Sequence, residues 1–315
     1  MARVKWIWLV AILTLVVLGI TRYNATSATP LNAYKHGKHS IATCDNAVEH
    51  SFSAIDTYAP QWKALELPAP RYDGYYPNAE RICIRANGII NYTFYYDFDT
   101  YTSMWVAYTL EAQHMGDFER PSRWEYNPQL SISDQVNLRS HSYSDTYSRG
   151  HLIPNASRDG DPLMQEQTFY VTNSVPQVQN GFNGGIWYSL ERALQGVAME
   201  ERIYVVTGVA FEKMGEERIV TYTSAKDEPL KPIPVPNYFY KVALKVKYNY
   251  FGEIVDARTI GFWFENRSHK GSFESNAYSD DTIEAWTGFD FFHTLDDNIE
   301  IRAEQNTKWH IFEGF

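Results

Sequence analysis

The sequence predicts an α+β fold: a mainly antiparallel central sheet with flanking helices. Three observations lead there. Runs rich in β-branched and aromatic residues recur along the chain. Helical patterns fall between some of them, without the strict strand–helix alternation of a parallel sheet. No linker-like stretch divides residues 60–315. The 315 residues are 44% hydrophobic and 16% aromatic, which is enough apolar material for a large core and excludes wholesale disorder. A net charge of −10 excludes the uniformly basic surface of a generic nucleic-acid binder. Any polyanion would have to meet a local patch.

The first segment stands apart from the fold. Arg3 and Lys5 precede an apolar run from Trp6 to Ile20, and Ala25 to Ala28 supplies small residues for cleavage. A spanning helix needs about 20 apolar residues, more than this run offers. Residues 1–28 therefore read as a secretory signal peptide, with an uncleaved N-terminal anchor as the alternative. Either places the rest outside the cytoplasm, secreted or anchored, with membrane contact only in the second case. Removing Arg3, Lys5 and Arg22, with no acid among residues 1–28, deepens the net charge from −10 to −13.

Residues 29–60 are polar, with His36 and His39 beside Lys35 and Lys38, and read as an N-terminal extension to a domain over 61–315. Cys44 and Cys83 are the only cysteines. In an oxidising compartment such a pair is expected to close as a disulfide. Pinning the extension in this way is worth roughly 4 kcal/mol on loop entropy.

The strands follow. Ile82 to Ile84, Ile89 to Tyr96, Met104 to Leu110, Arg202 to Phe211, Tyr238 to Tyr248 and Ile254 to Phe264 all read as β. A helix is expected to open near Asn183 and close at Gly196, and a short one to cover Thr282 to Thr287. Between Ala64 and Glu212 there are ten arginines and no lysine. The guanidinium fork matches phosphate oxygens in pairs, although structural ion pairs use the same geometry.

Chemistry concentrates in the middle of the chain. Tyr147-Ser148-Arg149-Gly150-His151-Leu152-Ile153-Pro154-Asn155 sets a histidine directly after a glycine, with an arginine two places before it. Such a histidine is able to take a proton from water near neutral pH. The stretch Thr168 to Gln177 comes next, and then Asn183-Gly184-Gly185-Ile186-Trp187 with Leu190-Glu191. On a regular helix Asn183 and Glu191 would stand about 12 Å apart and about 80° around the axis, facing one cleft. Side chains lean toward the helix N-terminus, so Glu191 would reach a water on an ion held by Asn183. Oxygen ligands with retained water suit Mg²⁺; the absence of a histidine or cysteine cluster with zinc spacing argues against zinc. The plainer reading is a helix cap at Asn183 and a solvated Glu191.

These blocks carry a resemblance. Ser148-Arg149-Gly150-His151 resembles the Asp-Arg-Gly-His signature of the sugar-non-specific DNA/RNA endonucleases, the ββα-metal nucleases that include endonuclease G. Thr168 to Gln177, Phe182 to Trp187 with Glu191, Val205 to Gly208, Val235 to Lys241 and Glu284 to Phe292 resemble further blocks in the same order, over roughly residues 70–302. The resemblance implies a ββα-metal finger, DNA and RNA as substrates, and Mg²⁺ as cofactor, with replacement by Mn²⁺ left open; no stable protein partner is expected. It implies His151 as general base, Asn183 as the direct metal ligand and Glu191 as a ligand through water. Arg149 is implied near the scissile phosphate, Asn173 as a supporting residue of the site, and Arg123 as a second phosphate contact. Two departures stand out: Ser148 replaces the signature aspartate, and the chain is acidic. They leave a degenerate, binding-only nuclease scaffold at the cell surface as the competing expectation.

Overall fold

The computed structural model describes residues 64–70 and 74–315. The proposed signal, the extension and Cys44 lie outside the described residues. The α+β expectation holds. Seven strands form one antiparallel sheet in the order β1 (Ala79–Ala86), β2 (Ile89–Asp97), β3 (Thr102–Leu110), β6 (Ile203–Ala210), β9 (Tyr238–Tyr248), β10 (Ile254–Glu265) and β11 (Ala277–Tyr278). Strand β6 is buried along its whole length, as its Ile-Tyr-Val-Val-Thr-Gly-Val-Ala sequence demands of a central strand. Cys83 lies buried on β1, its sulfur 3.4 Å from the Thr93 hydroxyl.

The chain leaves the sheet after β3 and returns at β6. Residues 111–202 form the excursion that carries the site. It holds the two-stranded pair β4 (Tyr147–His151) and β5 (Ser174–Val178), the short helix α1 (Pro162–Gln167), and helix α2 (Tyr188–Ala198). A second two-stranded sheet, β7 (Thr221–Ala225) with β8 (Glu228–Val235), follows β6. Sequence patterning did not mark β8 as a strand because Pro229, Pro232 and Pro234 interrupt it. Proline is tolerated there because the pair has only edges.

The large sheet has two differently dressed faces. On β9, Phe239 and Lys241 point to the excursion, where Phe182, Trp187 and Glu191 meet them. Tyr240, one residue out of phase, points the other way, against Trp263 and Phe291. That second face is covered by α3 (Asp280–Thr287) and α4 (Asp297–Ala303). Helix α3 lies directly on Gly261 of β10, where a Cβ would come within 2.6 Å of Ile283. Helix α4 is tied to β10 by the Thr259 hydroxyl, which donates to the Ala303 carbonyl at 3.1 Å. A final short helix, α5 (Trp309–Glu313), packs its Trp309 on Phe262. Most of the unusual aromatic content is core: Phe182, Phe239 and Trp187 are each 0% exposed. Each such burial contributes roughly 1.5–3 kcal/mol.

Candidate active site

Strands β4 and β5 pair antiparallel with Ser148 opposite Gln177 and His151 opposite Ser174. Gly150 permits the pairing to close tightly, since a Cβ there would lie 2.3 Å from the Gln177 side chain. Beyond β5 the chain enters a kinked segment, Gln179–Trp187, before α2 begins at Tyr188. Non-helical backbone at Asn180, Gly181, Gly184 and Gly185 breaks it. The single regular helix expected from Asn183 to Gly196 is therefore corrected. Asn183 sits before the break and Glu191 after it, so helical arithmetic does not relate them. The two glycines directly after the expected cap, Gly184 and Gly185, adopt the non-helical backbone that delays the helix to Tyr188. Two strands and a helix nevertheless form the expected ββα unit.

His151, Arg149, Asn183 and Glu191 all line one cavity of about 620 Å³. Asn173 and Arg123 do not. Asn173 is buried behind it and clamps the chain that follows the histidine: its Oδ1 accepts from Ile153 N at 3.0 Å, and its Nδ2 donates to Ile153 O at 3.0 Å and Thr168 O at 2.8 Å. Arg123 is exposed and away from the cavity wall, which Arg120 lines instead. Arg192 also faces the cavity, as does Asn155, whose Oδ1 is buried without a hydrogen-bond partner. Sequence reasoning missed Arg120 because both arginines flank the same Pro121-Ser122 turn, and only folding decides which one points inward.

His151 is held by rings. Trp124 lies 4.6 Å and Phe169 5.0 Å from it, centroid to centroid, and Arg149 and Arg120 stack over those same two rings at 5.2 and 5.0 Å. Its Nε2 is buried and takes no hydrogen bond. Burial, together with the positive charges of Arg120 and Arg149, pushes its pKa down to about 3. The imidazole is thus neutral at physiological pH, the form able to accept a proton. Arg149 is positioned from behind, Nη1 donating to the Leu138 carbonyl at 2.7 Å.

The amide of Asn183 is oriented by two acceptors. Its Nδ2 donates to Ser148 Oγ and to Gln179 Oε1, each at 3.0 Å. Ser148 spends its own proton on the Gln177 carbonyl at 2.9 Å, which leaves its lone pair to receive the amide. Both amide hydrogens are therefore committed, and Oδ1 is left as an oxygen donor for a ligand. Glu191 is 12% exposed and lies 3.9 Å from Lys241, too far for a hydrogen bond. Lys241 in turn donates to Thr207 at 2.7 Å and sits 4.5 Å from the Trp187 ring. Burial raises the Glu191 pKa against the pull of Lys241 and Arg120, and burial lowers that of Lys241. An amide oxygen and a carboxylate fit a hard cation that keeps most of its waters, as Mg²⁺ does.

This architecture has known counterparts. Residues 86–298 match the family described as DNA/RNA non-specific endonuclease. The mitochondrial endonuclease G of Caenorhabditis elegans is 30% identical over 156 residues, covering 47% of this chain and 50% of that protein. A nuclease of Nostoc sp. is 25% identical over 210 residues, covering 64% and 71% respectively. Nuclease C1 of Cunninghamella echinulata var. echinulata is 30% identical over 127 residues, 39% of this chain and 48% of that one. The chain thus spans about half the length of several curated relatives it matches. A chain in the crystal structure of the EndoG/EndoGI complex superposes with a TM-score of 0.59 at 19% identity, over 80% of this chain and 96% of that one. The likeness is one of fold.

Proposed function

The chain belongs to the DNA/RNA non-specific endonuclease family, and from that premise we propose that it hydrolyses phosphodiester bonds of DNA and RNA without reading sequence, outside the cytoplasm. The observation that carries this reading is the convergence of His151, Arg149, Asn183 and Glu191 on one cavity. With Nε2 sealed, the histidine nitrogen left to meet the cavity is Nδ1. It takes the proton from a water whose oxygen attacks phosphorus. The bond to the 3′ oxygen breaks, leaving a 5′-phosphate and a 3′-hydroxyl that is reprotonated from solvent. Asn183 would hold Mg²⁺ through its carbonyl oxygen and Glu191 through water; when bound, the ion supplies positive charge to the phosphate and the departing oxygen. Arg149 and Arg120 face the phosphate oxygens. None of these groups addresses a base, so sequence indifference is expected. Three arginines around the cavity give an acidic protein a local positive field, and binding is expected to weaken steeply with salt.

Export rests on Arg3, Lys5 and the apolar run from Trp6 to Ile20. The mitochondrial relatives carry that location in their own names. Supercoiled plasmid and RNA incubated with the full-length protein test the activity. Cleavage of both with Mg²⁺, abolished by EDTA, is expected. No cleavage with Mg²⁺ or Mn²⁺ would overturn the reading in favour of a binding scaffold.

A further inference from the structure

We propose that the opposite face of the large sheet carries a calcium site built from Asp280, Glu284 and Glu304. Asp280 and Glu284 are one turn apart on α3 and so share a face of that helix. Glu304 caps the end of α4. One carboxylate oxygen from each lies within 4.8 Å of the others. A single ion with oxygen bonds of about 2.3–2.6 Å bridges that span.

The second observation is independent of the clustering. Asp280 is 0% exposed, and neither of its carboxylate oxygens has a hydrogen-bond partner. Glu284 uses one oxygen to accept from Phe291 N at 2.6 Å. Among the described residues, no lysine or arginine forms an ion pair with any of the three. Their surroundings add more negative charge: Asp281, Asp290 and Glu300 all act on the trio. Burial and this crowding push Glu284 up to about 7 and Glu304 up to about 8. A buried carboxylate with no partner is among the most costly groups a fold holds, and is usually neutralised by a proton or matched by a cation.

Calcium fits better than magnesium. Two orphaned oxygens on one sealed carboxylate suit bidentate binding, which Ca²⁺ accepts with six to eight ligands in flexible geometry. Mg²⁺ demands near-octahedral geometry at about 2.0–2.1 Å and usually binds through only one or two carboxylates, fewer than the three gathered here. The ion would tie α3, the turn at Phe291 and α4 together over β10. It would stabilise the fold without touching the cavity on the other face.

Thermal unfolding of EGTA-treated full-length protein at neutral pH, without nucleic acid, tests this. Ca²⁺ titrated to roughly 10 mM, about tenfold above the dissociation constants of the weakest extracellular sites, is expected to raise the midpoint saturably, and Mg²⁺ to do so less. Asn183→Ala should keep the shift, because it alters only the cavity on the other face. Asp280→Asn should lose it. Because replacing a fully buried carboxylate also perturbs packing, Glu304→Gln serves as a second variant, expected to need roughly tenfold more Ca²⁺ for half the shift. No shift in the wild-type protein, an equal shift in both acidic-site variants, or its loss in Asn183→Ala would each overturn the proposal. Since the readout is stability, failure here is distinct from failure of the nuclease reading.

Discussion

Glu191 and Asp280 are both carboxylates on helices packed against the same sheet, but on opposite faces and in reversed surroundings. Beneath Glu191 the sheet supplies Lys241, and the cavity supplies Arg120 and Arg149. Among the described residues, the charges that act on Asp280 are those of further acids, Glu284 and Glu304 foremost. On the first face the protein balances its own charge, so a bound cation is free to serve chemistry on a substrate that is itself an anion. On the second the imbalance is left within the fold, and a cation there serves the fold. On the two proposals together, one sheet with two faces would separate a catalytic ion from a structural one.

The sharpest way to break that contrast is to remove the lysine. Lys241→Met leaves Glu191 buried without its counter-charge, and losing one partner of a buried pair costs about 3 kcal/mol or more. The 3.9 Å separation places the expected loss at the lower end of that range. Denaturant unfolding should register it, and cleavage should require more Mg²⁺ because the neutral form of Glu191 is favoured. Wild-type stability in this variant would mean that Lys241 does not balance Glu191.

A smaller effect separates the faces by pH. Glu284 and Glu304 hold their protons more tightly folded, at about 7 and about 8, than at their ordinary 4.5. The folded state therefore binds more protons, and the stabilisation present at low pH is lost as pH rises through those values. His114 and His151, pushed down to about 3, work the other way: they favour the fold above 6.5 and add no slope beyond it. Between about pH 6.5 and 7.5 the calcium-free midpoint should fall, and Ca²⁺ should flatten the decline; from about pH 8 the lowered Lys241 opposes it, because the unfolded state then holds the extra proton. A rise in calcium-free stability across that window would contradict the crowding described around Asp280.

Much of the first face was legible in the sequence and almost none of the second. The Ser148 to His151 block, Asn183 and Glu191 lie within one excursion, and their order in the chain survives as proximity in space. Even so, the break at Gly184-Gly185 was hidden, because Asn183 reads as a cap and the pattern after it as one helix. Ser148 looked like a departure until its hydroxyl was seen holding the amide of Asn183. The acidic trio was invisible for a different reason. The short helix expected over Thr282 to Thr287 began after Asp280, and α4 lacked a pattern strong enough to place Glu304 beside it. Lys241 read as one more strand residue, since nothing in β9 says what lies under the sheet. Six of the seven large-sheet strands were readable because β-branched and aromatic runs need burial, whereas the prolines of β8 masked a strand whose buried residues are confined to Ile233, Pro234 and Val235.

The most direct measurement is the cleavage rate of His151→Gly with and without added imidazole. A positioned general base is worth about 10²–10⁴ in rate. The variant should lose cleavage on that scale while Trp124 and Phe169 leave an aromatic slot for the missing ring. Free imidazole should restore part of the rate, in proportion to its neutral fraction. Undiminished cleavage in the variant would contradict the assignment of His151 as the base, and with it the reading of the whole finger face.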